Sequence, residues 1–352
     1  MAKRTPKNLS FHFPVIYTMK FSTLLFLFLP FWLTAQQPDA DAPLVVASAS
    51  IFADMARQIG GDAVRVETIV PVGGDPHLHE PTPRDAQLAS SADLVLRNGL
   101  TFEGWLNELI ENSGSEATVV TITRGITPIE SQQYANATDP HAWMDGSNGL
   151  IYLKNIKDAL TELVPDQREM FEFNYGVYRQ QLEDLDTYMR LSIERIPEEK
   201  RVLITSHDAF QYYGRRYGLQ LESVIGVSTD AEAQTSDILR LTEVIRKNKV
   251  PAIFVESTIN PKMLEQIARD EGVRIGGQLY ADSLGDEDSP APTYLDMLRH
   301  NTETIVAALT DTTTPDTAAE AEDGTVINYI LWGILGLVLV GGFVFVAKNV
   351  QS

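Results

Sequence analysis

Three histidines and one aspartate of this chain, each in a segment predicted to be a loop, could together bind a transition metal. They are His77, His141, His207 and Asp282. Three imidazoles and a carboxylate suit Zn²⁺ and, when the carboxylate is bidentate, Mn²⁺ or Fe²⁺. No two of them are as close in sequence as the ligands of a helical H-E-x-x-H motif, so spacing alone does not establish that they converge. If they do, four protein ligands leave no open position for an activated water, which favours carrying a metal over catalysis.

The segment around His77 shows how the sequence could hold such a side chain. The stretch Pro71–Pro83 follows Val64–Val70, a β-branched run typical of a buried strand, and it precedes Arg84–Ser91, which has a helical composition. His77 is therefore expected near the carboxyl end of a strand. Open α/β sheets collect their ligand-binding groups at that edge.

Strands and helices alternate in two sets along the chain, without hairpin signals. This order predicts two α/β lobes, residues 42–165 and 197–310, each with a parallel sheet flanked by helices. Between them, residues 166–196 show apolar side chains at intervals of three and four. A helix of that length would extend about 45 Å at about 1.5 Å per residue. We interpret it as a rigid strut joining the lobes, although an ordinary long surface helix would show the same pattern.

Both ends of the chain are predicted to lie outside the lobes. Residues 1–35 contain a basic region, the apolar run Phe21–Leu33 and then small residues, which is the order of a secretory signal peptide. Residues 326–346 are apolar, uncharged and long enough to predict a transmembrane helix, and residues 311–325 predict an acidic, flexible tether. On this interpretation the protein is exported, and a C-terminal helix anchors its periplasmic lobes to the cytoplasmic membrane.

The composition excludes several classes of protein. The chain has 352 residues, 44% of them hydrophobic, which is enough to form the cores of two lobes. Its formal net charge of −20 argues against a nucleic-acid partner, because phosphates attract a basic surface. It has no cysteine, which excludes disulfides and a lipid-modified cysteine. We expect a monomer.

Six sequence motifs carry a resemblance to a known family. They are Pro76-His77 with Glu80-Pro81; Asp139-Pro140-His141-Ala142-Trp143; Thr205-Ser206-His207-Asp208-Ala209-Phe210 with Tyr213; Gly226-Val227-Ser228-Thr229; Pro251-Ala252-Ile253-Phe254-Val255-Glu256-Ser257; and Gly277-Gln278-Leu279-Tyr280-Ala281-Asp282-Ser283. In this order they resemble the TroA-like zinc/manganese receptors of metal ABC importers. The resemblance extends from about Val45 to about Leu309.

The resemblance implies a fold, a function and a set of ligands. It implies two α/β lobes joined by one long helix, with one metal ion bound between them as the transported ligand and passed to an ABC permease. Carried over position by position, the ligands would be His77, His141, His207 and Asp282. We expect four further residues of these segments to surround the ligands: His79, Glu80, Asp208 and Glu256. If the strut is rigid, release would come from small lobe shifts or a movement around Asp282. Protonation of the histidines should weaken binding below about pH 6.

The resemblance does not fix the metal. Relatives with Glu at the third ligand position are associated with manganese, whereas this chain has His207 there. Many zinc-specific relatives carry a His-rich loop after the first ligand, but residues 113–139 of this chain contain no histidine. Imidazole ligands favour zinc, which also ranks above manganese in the general order of affinities. We expect Zn²⁺ to be favoured and Mn²⁺ to bind as well.

Two other classes of function stay open on the sequence. The tripeptide His77-Leu78-His79 also matches the H-x-H metal pair of amidohydrolase barrels, but such a zinc-dependent hydrolase needs eight successive strand–helix units, and the long helix interrupts them. Related receptors are often called adhesins. No residue of this chain supports a role in adhesion independently, and we expect the protein not to be an enzyme.

Overall fold

The computed structural model describes residues 41–131, 138–230 and 233–310. The predicted signal peptide (1–35), tether (311–325) and transmembrane helix (326–346) lie outside these residues. In the described ranges no helix is both long and apolar enough to cross a membrane, because the longest helices carry charged side chains on their solvent faces. The predicted fold class is wrong in including a C-terminal transmembrane helix. The two α/β lobes and the long helix are observed.

The first lobe contains a four-stranded parallel sheet in the order β2-β1-β3-β4. Its strands are β1 (Leu44–Ala47), β2 (Arg65–Thr68), β3 (Leu94–Arg97) and β4 (Thr118–Thr121). Its helices are α1 (Ser50–Gly60), α2 (Pro83–Ser91), α3 (Leu106–Ser113) and α4 (Gly146–Leu163). Every residue of β1 is buried, as expected for the central strand of a sheet covered on both faces. Thr82 and Asp85 form a capping box that fixes the start of α2 and ends the loop carrying His77.

The long helix α5 (Arg168–Ile193) lies within the range predicted for it. Its buried side chains include Phe171, Tyr178, Leu182, Leu185 and Met189, which lie about one or two helical turns apart and so share one face of the helix. This face packs against α1 and α4 of the first lobe and against the last helix of the second lobe. The helix therefore contacts both lobes along its length, as a strut would. Its rigidity and the lobe boundaries at 42–165, 166–196 and 197–310 stay predictions.

The second lobe contains two pairs of parallel strands. The pairs are β5 (Val202–Thr205) with β6 (Gln220–Ser223), and β7 (Ala252–Glu256) with β8 (Arg274–Leu279). Strand β5 contacts β7, so the two pairs are neighbours. The helices are α6 (Gln211–Tyr217), α7 (Thr235–Asn248), α8 (Lys262–Glu271) and α9 (Tyr294–Thr310).

One buried cluster of hydrophobic side chains extends from the first lobe into the second. It includes Phe52 of α1, Trp143 and Tyr294 of α9, each 0% exposed. The Trp143 indole Nε1 donates to the carbonyl of Ala281 at 3.0 Å, and the Tyr294 hydroxyl donates to the carbonyl of Trp143 at 2.6 Å. The lobes thus share a packed and hydrogen-bonded base, which opposes a wide hinge movement between them.

Candidate metal centre

The four predicted metal ligands converge on one point. One donor atom from each of His77, His141, His207 and Asp282 lies within 4.8 Å of the donors of the other three. Nε2 of His141 is 3.2 Å from Nε2 of His77 and 3.3 Å from Nε2 of His207. The two carboxylate oxygens of Asp282 lie 3.2 Å from Nε2 of His141 and 3.2 Å from Nε2 of His207, respectively. Three of the side chains are completely buried, and that of His77 is 3% exposed.

Loops at the edges of the two lobes bring these side chains together. His77 lies in the loop after β2, and His141 directly precedes the short 3₁₀ turn that leads into α4. His207 follows β5 by two residues, and Asp282 follows β8 by three. His77, His207 and Asp282 thus come from carboxyl ends of parallel strands, the edge where α/β folds place their ligands.

A carboxylate orients each of the two completely buried histidines. Asp139 Oδ1 lies 2.7 Å from Nδ1 of His141 and accepts from the backbone N–H of His141 at 2.9 Å. Glu256 Oε1 accepts from the backbone N–H of His207 at 2.8 Å. Its other oxygen lies 2.6 Å from Nδ1 of His207, although not aligned as a regular hydrogen bond. Each carboxylate favours a proton on Nδ1, which leaves Nε2 as the nitrogen that can bind a metal at the common point.

Asp282 is a buried carboxylate that is short of hydrogen-bond donors. Neither of its oxygens has a hydrogen bond of regular geometry within the described residues; their near neighbours are the imidazole nitrogens. Burial alone would raise the pKa of Asp282, but the neighbouring His207 and His141 hold this pKa well below its usual value. A buried negative charge of this kind requires a cation beside it.

The histidines differ in their affinity for protons. Burial lowers the pKa of His77 to about 3. Burial also opposes protonation of His141, but Asp139 and Asp282 overcome that effect and raise its pKa to about 9. For His207, the charges of Glu256 and Asp282 likewise outweigh burial and raise the pKa well above its usual value. The carboxylates therefore make the site strongly attractive to positive charge.

Aromatic rings close the site on the side of the first lobe. The ring of Phe102 lies edge-to-face with His77 at a centroid distance of 4.9 Å, and Trp143 lies 5.3 Å from His141. Both aromatic side chains are at most 1% exposed. They limit the access of water to the converging donors, which strengthens electrostatic interactions at this point.

The four residues expected around the ligands have different positions. Glu256 is in direct contact with His207, as described above. His79 instead has its Nε2 3.1 Å from Asp85 Oδ2 and its ring against Trp105 at 4.8 Å. Glu80 is exposed. Asp208 is buried, but it accepts hydrogen bonds from Ser131 Oγ at 2.6 Å and Gln211 Nε2 at 2.7 Å. His79, Glu80 and Asp208 are thus not part of the cluster formed by the described donors.

Two carboxylates of the site did not emerge as candidates from the sequence. They are Asp139, which orients His141, and Asp75, which accepts from the backbone N–H of His77 at 2.9 Å. Each lies two residues before a predicted ligand, in the repeated tripeptide Asp-Pro-His. That repeat was the available signal. In both copies the aspartate accepts a hydrogen bond from the backbone N–H of the histidine and so fixes the turn that carries the predicted ligand.

Comparison with known proteins identifies relatives over most of the chain. Residues 45–308 match the family described as zinc-uptake complex component A, periplasmic. The manganese-binding lipoprotein MntA of Halalkalibacterium halodurans is 36% identical over 276 residues, covering 78% of this chain and 91% of the relative. The iron-binding protein YfeA of Yersinia pestis is 37% identical over 263 residues, covering 74% and 84%. The solved structure of the periplasmic zinc-binding protein TroA from Treponema pallidum superposes with a TM-score of 0.73 at 36% identity, covering 77% of this chain and all of that one.

The fold and the site together define a solute receptor of a metal ABC importer, and not an enzyme. The chain belongs to the family of zinc-uptake complex component A. The predicted membership of the TroA-like receptors is confirmed, as is the prediction that the protein is not an enzyme. The amidohydrolase alternative is wrong, because the strands form a two-lobed arrangement and His79 lies apart from the cluster.

The predicted mode of membrane attachment needs correction. The localisation inferred from the sequence placed the lobes at the membrane through a C-terminal helix. Several relatives are named lipoproteins. In the part of the chain that the structure describes, no helix could span a bilayer, since none combines sufficient length with an apolar composition. The prediction of a helix-anchored receptor is therefore wrong.

Proposed function

We propose that this receptor binds one divalent transition-metal ion through His77, His141, His207 and Asp282 and delivers it to the permease of its ABC importer. The strongest support is the contact of the Asp282 carboxylate with two imidazole nitrogens, at 3.2 Å each, between completely buried side chains. The Nε2 atoms and the carboxylate oxygens point toward one position, where their lone pairs repel one another unless a cation or protons lie between them. A metal ion satisfies all four donors at once.

Zn²⁺ is the ion that we propose to bind most tightly, with Mn²⁺ as a second ligand. Three imidazoles and one carboxylate match the donors that zinc prefers, and zinc ranks above manganese in the general order of affinities. Both oxygens of Asp282 face the imidazoles, so a bidentate carboxylate could complete the larger coordination sphere of manganese. The relatives are themselves named for zinc, manganese and iron, so their names do not select one metal.

Release is proposed to involve a local movement of the loop that carries Asp282. The buried cluster shared by the two lobes and the long helix that contacts both oppose a wide hinge opening. The Asp282 loop follows the end of β8 and is tied to the first lobe by a few hydrogen bonds, including Gly73 N to Ser283 Oγ at 2.7 Å. Movement of this loop would remove the only carboxylate from the four donors.

The remaining features of the proposal concern assembly and export. All four ligands come from one chain, so the site is complete in a monomer, which we propose as the functional state. Residues 1–35 are proposed to direct export as a signal peptide. No specific observation favours the adhesin alternative.

Metal analysis of the purified protein tests the proposal. We expect one Zn²⁺ per chain after loading and dialysis, and loss of this stoichiometric metal in His141→Ala. A matched control is His300→Ala, which removes an imidazole that lies outside the cluster and whose Nε2 is 3.1 Å from the carbonyl of Gln278. This control should keep its metal. Equal metal content in His141→Ala and the wild type would refute the proposed site.

A further inference from the structure

The loop that carries Phe102 has an unusual backbone conformation. Gly99, Leu100 and Thr101 have φ values of 78°, 52° and 67°. Leu100 and Thr101 are thus two consecutive residues with a Cβ atom in the left-handed region; in the ranges 41–131, 138–230 and 233–310, the only other non-glycine residue with positive φ is Lys249. Such a conformation is unfavourable for L-residues and persists only where surrounding contacts impose it.

The buried carboxylate of Glu103 holds the start of this loop. Its Oε1 accepts hydrogen bonds from Ser48 Oγ at 2.5 Å and from the backbone N–H of Asn98 at 2.7 Å. Its Oε2 accepts from the backbone N–H of Gly99 at 3.0 Å. Glu103 is 7% exposed. One side chain therefore connects the end of β1 to the end of β3, and it closes the loop from Asn98 to Glu103.

Asn98 extends this network to the loop of a second ligand. Its side-chain Nδ2 donates to the carbonyl of Pro140 at 3.0 Å, and Pro140 directly precedes His141. Its Oδ1 accepts from the hydroxyl of Tyr152, and its carbonyl accepts from Thr123 Oγ1 at 2.6 Å. The contacts of Glu103 thus bear on the ligand loops of both histidines of the first lobe.

His77 differs from the other two histidines in what lies beside its ring. Carboxylates lie against Nδ1 of His141 and His207. Among the described residues, the ring of His77 instead lies beside Phe102 and the other two imidazoles. Phe102 meets the imidazole of His77 edge-to-face, with an interplanar angle of 87°. The same aromatic ring packs against Trp143 at 4.9 Å. Phe102 therefore limits the orientations available to the His77 ring.

We propose that Glu103 is a positioning residue for metal binding, which holds the Gly99–Glu103 loop in its left-handed conformation and thereby keeps Phe102 against His77. The proposal rests on the metal site proposed above. Without the carboxylate, Leu100 and Thr101 relax toward the ordinary α or β regions, and Phe102 moves with them. His77 then loses its fixed orientation, and the site loses the preorganisation of one ligand.

Titration of the purified protein with Co²⁺ tests this role. The visible absorption of Co²⁺ reports the number and geometry of its ligands, and competition with Zn²⁺ gives relative affinity. Glu103→Ala should bind Co²⁺ at least about tenfold more weakly and with a changed visible spectrum, the size of effect seen for groups that orient metal ligands. Glu103→Gln keeps one oxygen that can accept from Asn98 and Ser48, and should lie between Ala and the wild type. Phe102→Leu keeps an apolar side chain but removes the ring, and should shift affinity and spectrum in the same direction as Glu103→Ala.

A second set of variants separates positioning from simple destabilisation. Ile245→Ala creates a cavity in α7, in the hydrophobic cluster of the second lobe, and should lower the melting temperature without changing the Co²⁺ spectrum or affinity. Wild-type affinity and spectrum in Glu103→Ala and Phe102→Leu, whatever their melting temperatures, would overturn the proposal. If Glu103→Ala does not fold, Glu103→Gln and Phe102→Leu decide the question. A wild-type protein that binds no Co²⁺ would instead refute the proposed metal site itself.

Discussion

The carboxylate of Glu256 lies 2.6 Å from Nδ1 of His207, while Nε2 of the same ring faces Asp282 at 3.2 Å. One imidazole is thus held between two buried carboxylates, both of them 0% exposed in their side chains. The outer carboxylate favours a proton on Nδ1 and increases electron density at Nε2. His207 is therefore a stronger donor than an imidazole in solvent, which partly compensates for the small number of carboxylates among the proposed ligands.

Replacing Glu256 by Gln should weaken metal binding without removing a ligand. The amide cannot supply the negative charge that polarises His207, and it offers only one acceptor oxygen for the backbone and side-chain contacts of Glu256. We expect the Zn²⁺ dissociation constant to rise by about 10- to 100-fold, which competition with a chromophoric chelator would measure. Glu265→Gln on α8, whose carboxylate is 42% exposed, is the matched control and should leave the constant unchanged. An unchanged dissociation constant in Glu256→Gln would contradict this account of His207.

Metal binding should release protons near neutral pH. The pKa of His141 is raised to about 9, and that of His207 is also raised, so both rings are protonated in the metal-free site at pH 7. The pKa of His77 is about 3, so this residue is already neutral and contributes no proton. A metal ion needs the lone pair of each Nε2, and it therefore displaces up to two protons. Two protons leaving and one divalent ion entering would preserve the charge of the buried site.

The sign of the pH dependence follows from this exchange. Because the proton is bound below the raised pKa, metal affinity falls as pH decreases, by about tenfold per pH unit for each proton released. Because the pKa of His141 is raised to about 9, this dependence extends up to about pH 9, above the range expected for an ordinary imidazole. Calorimetric titration with Zn²⁺ in buffers of different ionisation enthalpy would count the protons. A count of zero at pH 7 would show that the histidines are neutral before the metal binds.

Tyr294→Phe should destabilise the connection between the lobes. The hydroxyl of Tyr294 donates to the carbonyl of Trp143 in a fully buried position, and phenylalanine leaves that carbonyl without this donor. We expect the free energy of unfolding to fall by about 1–3 kcal/mol, as measured by urea denaturation of the metal-free protein. Tyr188→Phe is the control, since its hydroxyl bonds to Glu303 at an exposed position on α5. A loss in Tyr294→Phe no larger than in this control would argue against a tightly packed base.

The sequence predicted the framework of this molecule better than its fine structure. The alternation of strands and helices gave two α/β lobes, and the spacing of Phe171, Tyr178, Leu182 and Leu185 gave the long helix, because burial of one helix face imposes a period on the sequence. The register of the strands, and the order β2-β1-β3-β4 in the sheet of the first lobe, depend on contacts between distant segments. No local sequence pattern indicates these contacts.

The site shows the same division between local and distant information. The four donors could be named from the resemblance, but residue spacing could not show that they converge. Asp139 is a local feature, two residues before His141, and it was missed although the Asp-Pro-His repeat marks it. The conformation of Leu100 and Thr101 has no such signal, since neither residue type favours positive φ. We propose that Glu103 imposes it, and the bond of Glu103 to the distant Ser48 is a contact that no local pattern records. Hydropathy predicted a membrane helix for residues 326–346, which lie outside the described residues; within the described ranges, no helix is suited to that role.

A hydrogen bond between the His77 loop and the second lobe should control how fast the metal leaves. Thr229, in the loop between β6 and α7, donates from Oγ1 to Asp75 Oδ2 at 2.6 Å, and the other oxygen of Asp75 accepts from the backbone of His77. Thr229→Val keeps the shape of the side chain but removes the donor, so the Asp75 loop and the second lobe separate more easily. We expect Zn²⁺ to dissociate about fivefold faster, equivalent to about 1 kcal/mol, in stopped-flow measurements with excess chelator. Thr242→Val on α7 is the control and should keep the wild-type rate. Equal rates in all three proteins would show that this contact does not limit metal release.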